Sequence, residues 1–504
     1  SISMRIIPLL LVFSLFAQDA ANAPAKSGTT GSIGTVTLNG QIYNQLSIRP
    51  EIPIGKLGLG LDVYLYFNDK GMYWDSWDFS SGGSAYKTII DKIYYLRWGQ
   101  PGDNLYFIAG ALPSVTLGQG ILVNNYANIM EYPQVRQVGL NLQAKVAGFG
   151  IELIHSNFKS ATPGILGIRG SGSIIPKLSL GVSFVTDLDQ LAGLPDSDGD
   201  NYPDYYDFYP DDENKWDDYS SNQSLYDHHF EFYKELHPNA TLEEFLNEFT
   251  VTKSNYSPEN ATKDPISGLA IDATYSLSEK MTLYSQFGLL QGEIVDPEDN
   301  AKTINPGWGL VPIGARTKLG PINLLAEYRM GSRRFVFNYW DRAYDVNRVS
   351  VIKSGTESEI ATRESQLYLY GKLNGFYVQA DMSVMNLFTL GTGYQNMQGE
   401  KWDEESNKYN TGEANQTFLS TIAINPSLIP KVGKAEAFYQ QSNVPNPFDF
   451  TPTASTIWGY DVGVEVSSGV MLMYKARTTY ITDLDTPGDY KPVESIQIET
   501  QFIF

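Results

Sequence analysis

Residues 57–67 read Leu57-Gly-Leu-Gly-Leu-Asp-Val-Tyr-Leu-Tyr-Phe67, and they alternate. In an extended chain successive side chains point to opposite faces. Leu57, Leu59, Leu61, Val63, Leu65 and Phe67 therefore share one face, and Gly58, Gly60, Asp62, Tyr64 and Tyr66 share the other. Residues 138–146 repeat the pattern, with Val138, Leu140, Leu142, Ala144 and Val146 against Gly139, Asn141, Gln143 and Lys145. Similar runs recur near 266–275, 281–291, 313–330, 366–385, 432–440, 457–480 and 495–504. A soluble sandwich or solenoid also has half-buried strands. Its outer surfaces, however, would have to cover aliphatic faces in strand after strand, whereas lipid covers the outside of a barrel.

The chain has 504 residues, with 33 Tyr, 24 Phe, 45 Gly and no Cys, so disulfides play no part in its stability. A net charge of −21 argues against nucleic acid as a partner. Met4-Arg5 is followed by about a dozen mostly apolar residues up to Phe16, then Ala17-Gln18, the pattern of a secretory signal peptide over 4–17. Cleavage is expected after Ala17, with Ala23 second. No later segment reaches the ~20 apolar residues of a spanning helix.

The last ten residues are Ser495-Ile-Gln-Ile-Glu-Thr-Gln-Phe-Ile-Phe504, with Ile496, Ile498, Thr500, Phe502 and Phe504 on one face. With the signal peptide and the repeated alternation, this strand resembles the C-terminal assembly signal of bacterial outer-membrane β-barrels. The resemblance implies an all-β fold, a transmembrane antiparallel barrel built from 32–187 and 266–504. About 19 strands can be counted, and an even total of 18 or 20 is expected. Short connections such as Gly320-Pro321 and Ser467-Ser468-Gly469 alternate with long ones over 70–88, 113–136, 188–265, 333–364, 387–414 and 442–455. In such barrels short turns are periplasmic and long loops extracellular. The odd count leaves the first strand starting on the long-loop side, so 32–54 is expected to hold two strands or to thread the lumen.

Two hairpins have readable registers. Asn374-Gly375 is a type I′ turn signal. It would pair Leu373 with Phe376, Lys372 with Tyr377, Tyr370 with Gln379 and Tyr368 with Asp381. A three-residue turn at Ser467-Ser468-Gly469 would pair Val466 with Val470, Gly463 with Met473 and Asp461 with Lys475.

Residues 188–264 carry 19 acidic residues against four lysines, a balance of −15 that leaves about −6 for the rest of the chain. This marks 188–265 as a separate insert. Within it, Asp196, Asp198, Asp200, Asp204 and Asp207 occupy positions 1, 3, 5, 9 and 12 of a twelve-residue loop. An EF-hand-type loop places its calcium ligands there, with a backbone carbonyl at position 7, here Tyr202. The loop departs from that pattern with Gly199 at position 4, Asn201 where Gly usually turns the chain, and Asp closing it. With the following Tyr-Pro210-Asp-Asp-Glu-Asn, the stretch resembles a thrombospondin type 3 calcium repeat. The competing reading is a solvated acidic loop. Further on, Thr241-Leu-Glu-Glu244 is a capping box. Leu242, Phe245, Leu246 and Phe249 follow at helical spacing, and Tyr226, Phe230 and Tyr233 mark a preceding helix. The insert is thus expected to be small and partly helical.

No nucleophile elbow or phosphate loop is present, and His228-His229 lacks the companions of a zinc site, so no enzymatic activity is expected. A barrel of this size leaves a lumen wider than side chains fill, although loops can plug it. The expected lumen-facing charges are Lys145, Arg316, Lys318, Arg329, Lys372, Lys475 and Arg477 against Asp272, Glu327, Asp381, Asp461 and Glu465. These residues are consistent with a porin-like channel for small polar solutes, set in outer-membrane lipid, with calcium holding the extracellular insert. The alternative is a surface-attachment protein whose insert binds an extracellular protein or glycan.

Overall fold

The computed structural model describes residues 28–504 except 39–40, 130–135, 161, 217–222, 249–255, 343, 355–356, 454, 483–488 and 504. The expected signal peptide lies outside the described residues. Twenty antiparallel strands close into one barrel. They are β1 (Gly28–Leu38), β2 (Gln41–Ile54), β3 (Leu57–Leu61, continuing as Val63–Asn68), β4 (Ile93–Trp98), β5 (Leu105–Gly110), β6 (Gly139–Val146) and β7 (Phe149–His155). There follow β8 (Leu166–Ile175), β9 (Leu178–Asp187), β10 (Ile266–Ser278), β11 (Met281–Gln291), β12 (Trp308–Leu319) and β13 (Ile322–Gly331). The wall is completed by β14 (Tyr370–Val384), β15 (Phe388–Asp403), β16 (Lys408–Ile424), β17 (Val432–Val444), β18 (Ile457–Ser467), β19 (Val470–Thr482) and β20 (Tyr490–Ile503).

Each strand pairs with its sequence neighbours, and β1 closes on β20 through Thr30↔Ile503 to Ile33↔Thr500. Closure leaves no unpaired edge, the condition for exposing strands to lipid. The first strand starts at the short-turn end because 28–54 holds two strands, β1 and β2, with Leu38 opposite Gln41. No helix among the described residues is long and apolar enough to cross a membrane.

The alternation maps onto the wall as read. On β3, Val63 and Phe67 are exposed outside, while Asp62, Tyr64 and Tyr66 are buried inside. Asp62 interrupts the strand: its N–H donates to the Lys92 carbonyl, and its carboxylate binds Arg49 (3.3 Å) and Arg136 (2.6 Å). Ile496 and Ile498 of β20 are exposed on the outer face.

The Asn374-Gly375 hairpin does not form. Residues 370–384 are one strand, with Asn374 opposite Met330 and Gln398. Conversely, the expected long loop 387–414 is mostly strand, β15 and β16, joined at 404–407. The β18–β19 register is the expected one over Asp461↔Lys475 and Gly463↔Met473. At the turn, Ser467 rather than Val466 faces Val470, because a register shift between Glu465 and Ser467 absorbs one residue.

All the long connections emerge at one end. That between β3 and β4 carries α1 (Gly82–Asp91), whose Ser81 cap accepts from the Ser84 N–H. The insert carries α2 (Gln223–Leu236) and α3 (Leu242–Glu248). The capping box is reciprocal: Thr241 N–H donates to Glu244 Oε2 (2.8 Å) and Glu244 N–H to Thr241 Oγ1 (3.2 Å). Phe230 and Tyr233 of α2 pack on Phe245 of α3 at 5.5 and 5.3 Å between ring centroids.

Candidate functional site: the plugged lumen and the acidic loop

Two long connections turn inward instead of outward. Residues 111–128, after β5, and 332–348, after β13, meet inside the barrel through the bridges Val115↔Tyr126 and Val123↔Trp340. Trp340 N–H donates to the Leu122 carbonyl (2.9 Å) and Asn124 N–H to that of Trp340 (3.1 Å). Leu112, Leu122, Tyr126, Tyr339, Trp340 and Tyr344 are buried with Ile154, Val185, Ile266 and Leu290 of β7, β9, β10 and β11. The wall is built to receive them. A Cβ on Gly268 of β10 would lie 2.8 Å from both Leu122 and Trp340. The plug is thus a largely apolar wedge against one side of the lumen, pinned by Tyr126 OH donating to Asp345 and by Tyr344 OH and Arg348 donating to Asp187.

On the other side a cavity of about 490 Å³ remains between the plug and β13–β17. Arg329, Tyr377, Gln395 and Gln440 face it from the wall, and Asn124, Asp341, Arg342 and Arg363 from the plug side. Arg329 is held by Glu327 (2.7 Å) and Gln395 (2.8 Å) and lies over the Tyr377 ring at 4.3 Å. Tyr284 OH donates to the second Glu327 oxygen (2.6 Å). Arg363 makes a two-pronged pair with Asp341.

The expected lumen charges fare unequally. Asp272 is buried and paired with Arg169, a partner that sequence reading missed because 166–175 lacks a clean alternation. Glu327 and Arg329 come together as described. Asp461 is buried and bound by Lys434 of β17 (3.1 Å), while Lys475 faces it in register from β19. Asp381 accepts from Gln379 (2.8 Å). Lys145 Nζ donates to the Gly102 carbonyl (3.0 Å), and Arg316 lies over the Tyr284 ring at 5.4 Å. Lys318 and Glu465 are exposed near the short turns. The side chain of Arg477 lies outside the described residues. Lys372 is a correction: with no turn at 374–375, it keeps the parity of Phe376 and Val378, which are exposed outside. Its assignment depended on the hairpin that does not form.

In the acidic loop, Asp196, Asp198 and Asp200 bring carboxylate oxygens within 4.8 Å of one another. Asp196 accepts from the N–H groups of Gly199 (2.8 Å) and Asn201 (3.0 Å), which bends the loop around it. Gly199 and Asn201 sit at φ +80° and +76°, so Asn201 does take the left-handed turn position. Oδ2 of Asp198, of Asp200 and of Asp207 is buried without a hydrogen-bond partner among the described residues. Burial, reinforced by the neighbouring carboxylates, pushes Asp196, Asp200 and Asp207 above the usual aspartate value. Asp204 is turned instead to Ser197, accepting from its N–H (2.8 Å) and Oγ (2.7 Å). Tyr202 donates its N–H to Asp200 (2.7 Å). Of the expected carboxylates, Asp204 and Asp207 lie outside the three that cluster.

The insert leaves and rejoins the barrel at one point. Gln190 N–H donates to the Asp264 carbonyl (2.9 Å) and Asp264 N–H to Asp189 Oδ1 (3.1 Å). The Gln190 side chain accepts from Tyr339 OH (2.8 Å) and donates to Glu364 (3.2 Å). Burial, and then the Asp264 carboxyl bonded to it, pushes Glu364 up to about 9, so it holds a proton at neutral pH.

No family model matches the sequence, and no curated protein does. Among solved structures the chain is similar to OccK11 (OpdR) of Pseudomonas aeruginosa, at 10% identity and TM-score 0.31, over 100% of this chain and 99% of that one. It is also similar to the outer membrane channel DcaP of Acinetobacter baumannii, at 10% identity and TM-score 0.28, over 95% and 94% of the two chains. A third is the FrpB iron transporter of Neisseria meningitidis, at 9% identity and TM-score 0.37, over 97% and 83%. By its own closed ladder and its exposed aliphatic outer face, the chain is a closed, 20-stranded antiparallel β-barrel.

Proposed function

We propose that the protein is an outer-membrane channel for small polar solutes, with the insert and long connections outside the cell and the short turns in the periplasm. The observation that carries this reading is the cavity of about 490 Å³ beside the plug. It lies in the size range of small-molecule sites and is walled by amides, arginines and tyrosines. A barrel serving only as an anchor has no need of a polar space beside its plug. Purified protein in a planar bilayer should give stepwise conductance at neutral pH. A barrel that inserts and stays electrically silent would rule the channel out. Silence would favour the second reading, attachment through the insert, for which Phe232 and Leu236 of α2 and Phe208 beside the acidic loop are among the exposed apolar contacts.

Calcium in the acidic loop is part of the same proposal. Three buried carboxylate oxygens without donors suit a hard cation, which prefers several oxygen ligands. Asp196, Asp198, Asp200 and Asp207 would hold it. Asp204 would join only on giving up its bonds to Ser197. The ion would offset part of the insert's charge of −15. At about millimolar external calcium, even a Kd of ~10⁻⁴ M keeps the site filled. Chelator, or Asp198→Ala with Asp200→Ala, should make 188–265 readily cleaved by added protease while heat-resistant barrel migration persists. Equal cleavage with and without calcium would reduce the loop to a solvated acidic surface.

A further inference from the structure

Among the described residues, one positive charge in the cavity has no carboxylate to balance it. Of the three arginines that line it, Arg329 is neutralised by Glu327 and Arg363 by Asp341. Arg342, on the plug, is 6% exposed and has no carboxylate partner among the described residues. One guanidinium N–H donates to the Pro113 carbonyl (3.1 Å), and Nε has no acceptor. A guanidinium keeps its charge under any physiological condition, so this site cannot relieve the strain of burial by losing a proton. A buried, incompletely hydrogen-bonded charge is costly unless something pairs with it. On the opposite wall, Gln440 of β17 shows the complementary deficit. It is 4% exposed, and its Nε2 donates to Ser442 (3.0 Å) while Oε1 accepts nothing among the described residues.

From these two groups we infer that the cavity is a binding subsite for small organic monoanions bearing hydroxyl groups, with Arg342 taking the carboxylate and Gln440 Oε1 accepting from a hydroxyl. The inference rests on the channel reading and names its preferred solute. It runs against the bulk charge of the chain. A net −21, most of it in the insert, would draw cations to the mouth. The passage itself selects the other sign, because pairing is strongest where water is scarce. Arg342 sits on the plug rather than on the strands, so the selectivity belongs to a connection that can vary without disturbing the barrel. The rings of Tyr377 and Tyr370, which also line the cavity, give the solute's carbon skeleton a face to lie on.

The test is reversal potential across a bilayer under a potassium chloride gradient, then block of the current by gluconate, with neutral sorbitol as control. The unmodified protein should prefer chloride, and gluconate should block it saturably where sorbitol does not. Arg342→Gln should lower the chloride preference and weaken gluconate block about tenfold, the loss expected for one charge-assisted hydrogen bond. Arg342→Lys should keep the sign of the selectivity. It also reports whether loss of anion preference in the glutamine variant comes from charge or from a disturbed plug, as does heat-resistant migration of both variants. Gln440→Leu should weaken gluconate block and leave the chloride preference intact. Cation preference in the unmodified channel, or equal gluconate block in Arg342→Gln, would overturn the inference and leave the channel standing. Absence of any conductance would overturn the channel reading and this inference with it.

Discussion

A Cβ on Gly375 would land on the carbonyl oxygen of Asn396 and the Cα of Met397, both on the neighbouring strand β15. The residue is glycine because two backbones come together there, and neither Asn374 nor Gly375 takes a positive φ among the described residues. An Asn-Gly pair reads as a hairpin turn only if both residues can turn left-handed. The same two letters fit a strand that must approach its neighbour closely. Local sequence cannot separate the two, and the misreading carried Lys372 to the wrong face with it. Gly375→Ala should lower the temperature at which the barrel loses its heat-resistant migration, at a cost of about 1–3 kcal/mol. Asn374→Ala, on the exposed face, should leave it nearly unchanged. A turn at 374–375 would give the opposite ranking, so gel migration across a temperature series decides between them.

Strands and plug differ in how visible they are beforehand. The β18–β19 hairpin is legible because its alternation and its turn constrain each other: Asp461 meets Lys475 only in one register. The plug is not. Its decisive contact, Val123↔Trp340, joins residues 217 positions apart in two connections without a regular period. A trace of it does exist on the wall. Val185 of β9 and Leu290 of β11 lie on the inner face, where neighbouring strands carry polar groups, and buried aliphatics there ask for an apolar partner inside the barrel. Trp340 is the largest fully buried side chain of that partner. Trp340→Ala should cost the plug about 3–5 kcal/mol of packing. Because the barrel's own ladder is untouched, single-channel conductance should rise and become noisy while heat-resistant migration stays. Unchanged conductance would mean that the plug keeps its place without the indole.

At the scale of the whole molecule, barrel and insert obey different rules. The barrel closes its own hydrogen bonds and turns aliphatics outward, so its fold is readable from period and turn alone. The insert reads by charge spacing, and the stack of Tyr202 on Trp216 and Tyr206 on Tyr256 beside the acidic loop has no period to announce it. That spacing brings Asp196, Asp198 and Asp200 together but leaves Asp204 bonded to Ser197. The cavity charge was half legible. Glu327 and Arg329 alternate visibly along β13, whereas Arg342 lies in a connection without period, and its missing partner can be known only from what surrounds it.

Gln190 and Asp264 meet where the insert joins the wall, and this determines how the molecule would carry load. A pull on the insert reaches the barrel through β9 and β10 together, along the direction of both strands. Those two move as one, joined by pairs from Leu178↔Tyr275 to Asp187↔Ile266. To leave, they must slide past β8 on one side and β11 on the other. Each border is held by a full row of backbone bonds that share the force and would have to fail nearly at once. The insert's own contacts, loaded one after another like the teeth of a zip, would give way first. A tug would therefore unravel the insert and leave the barrel wall closed.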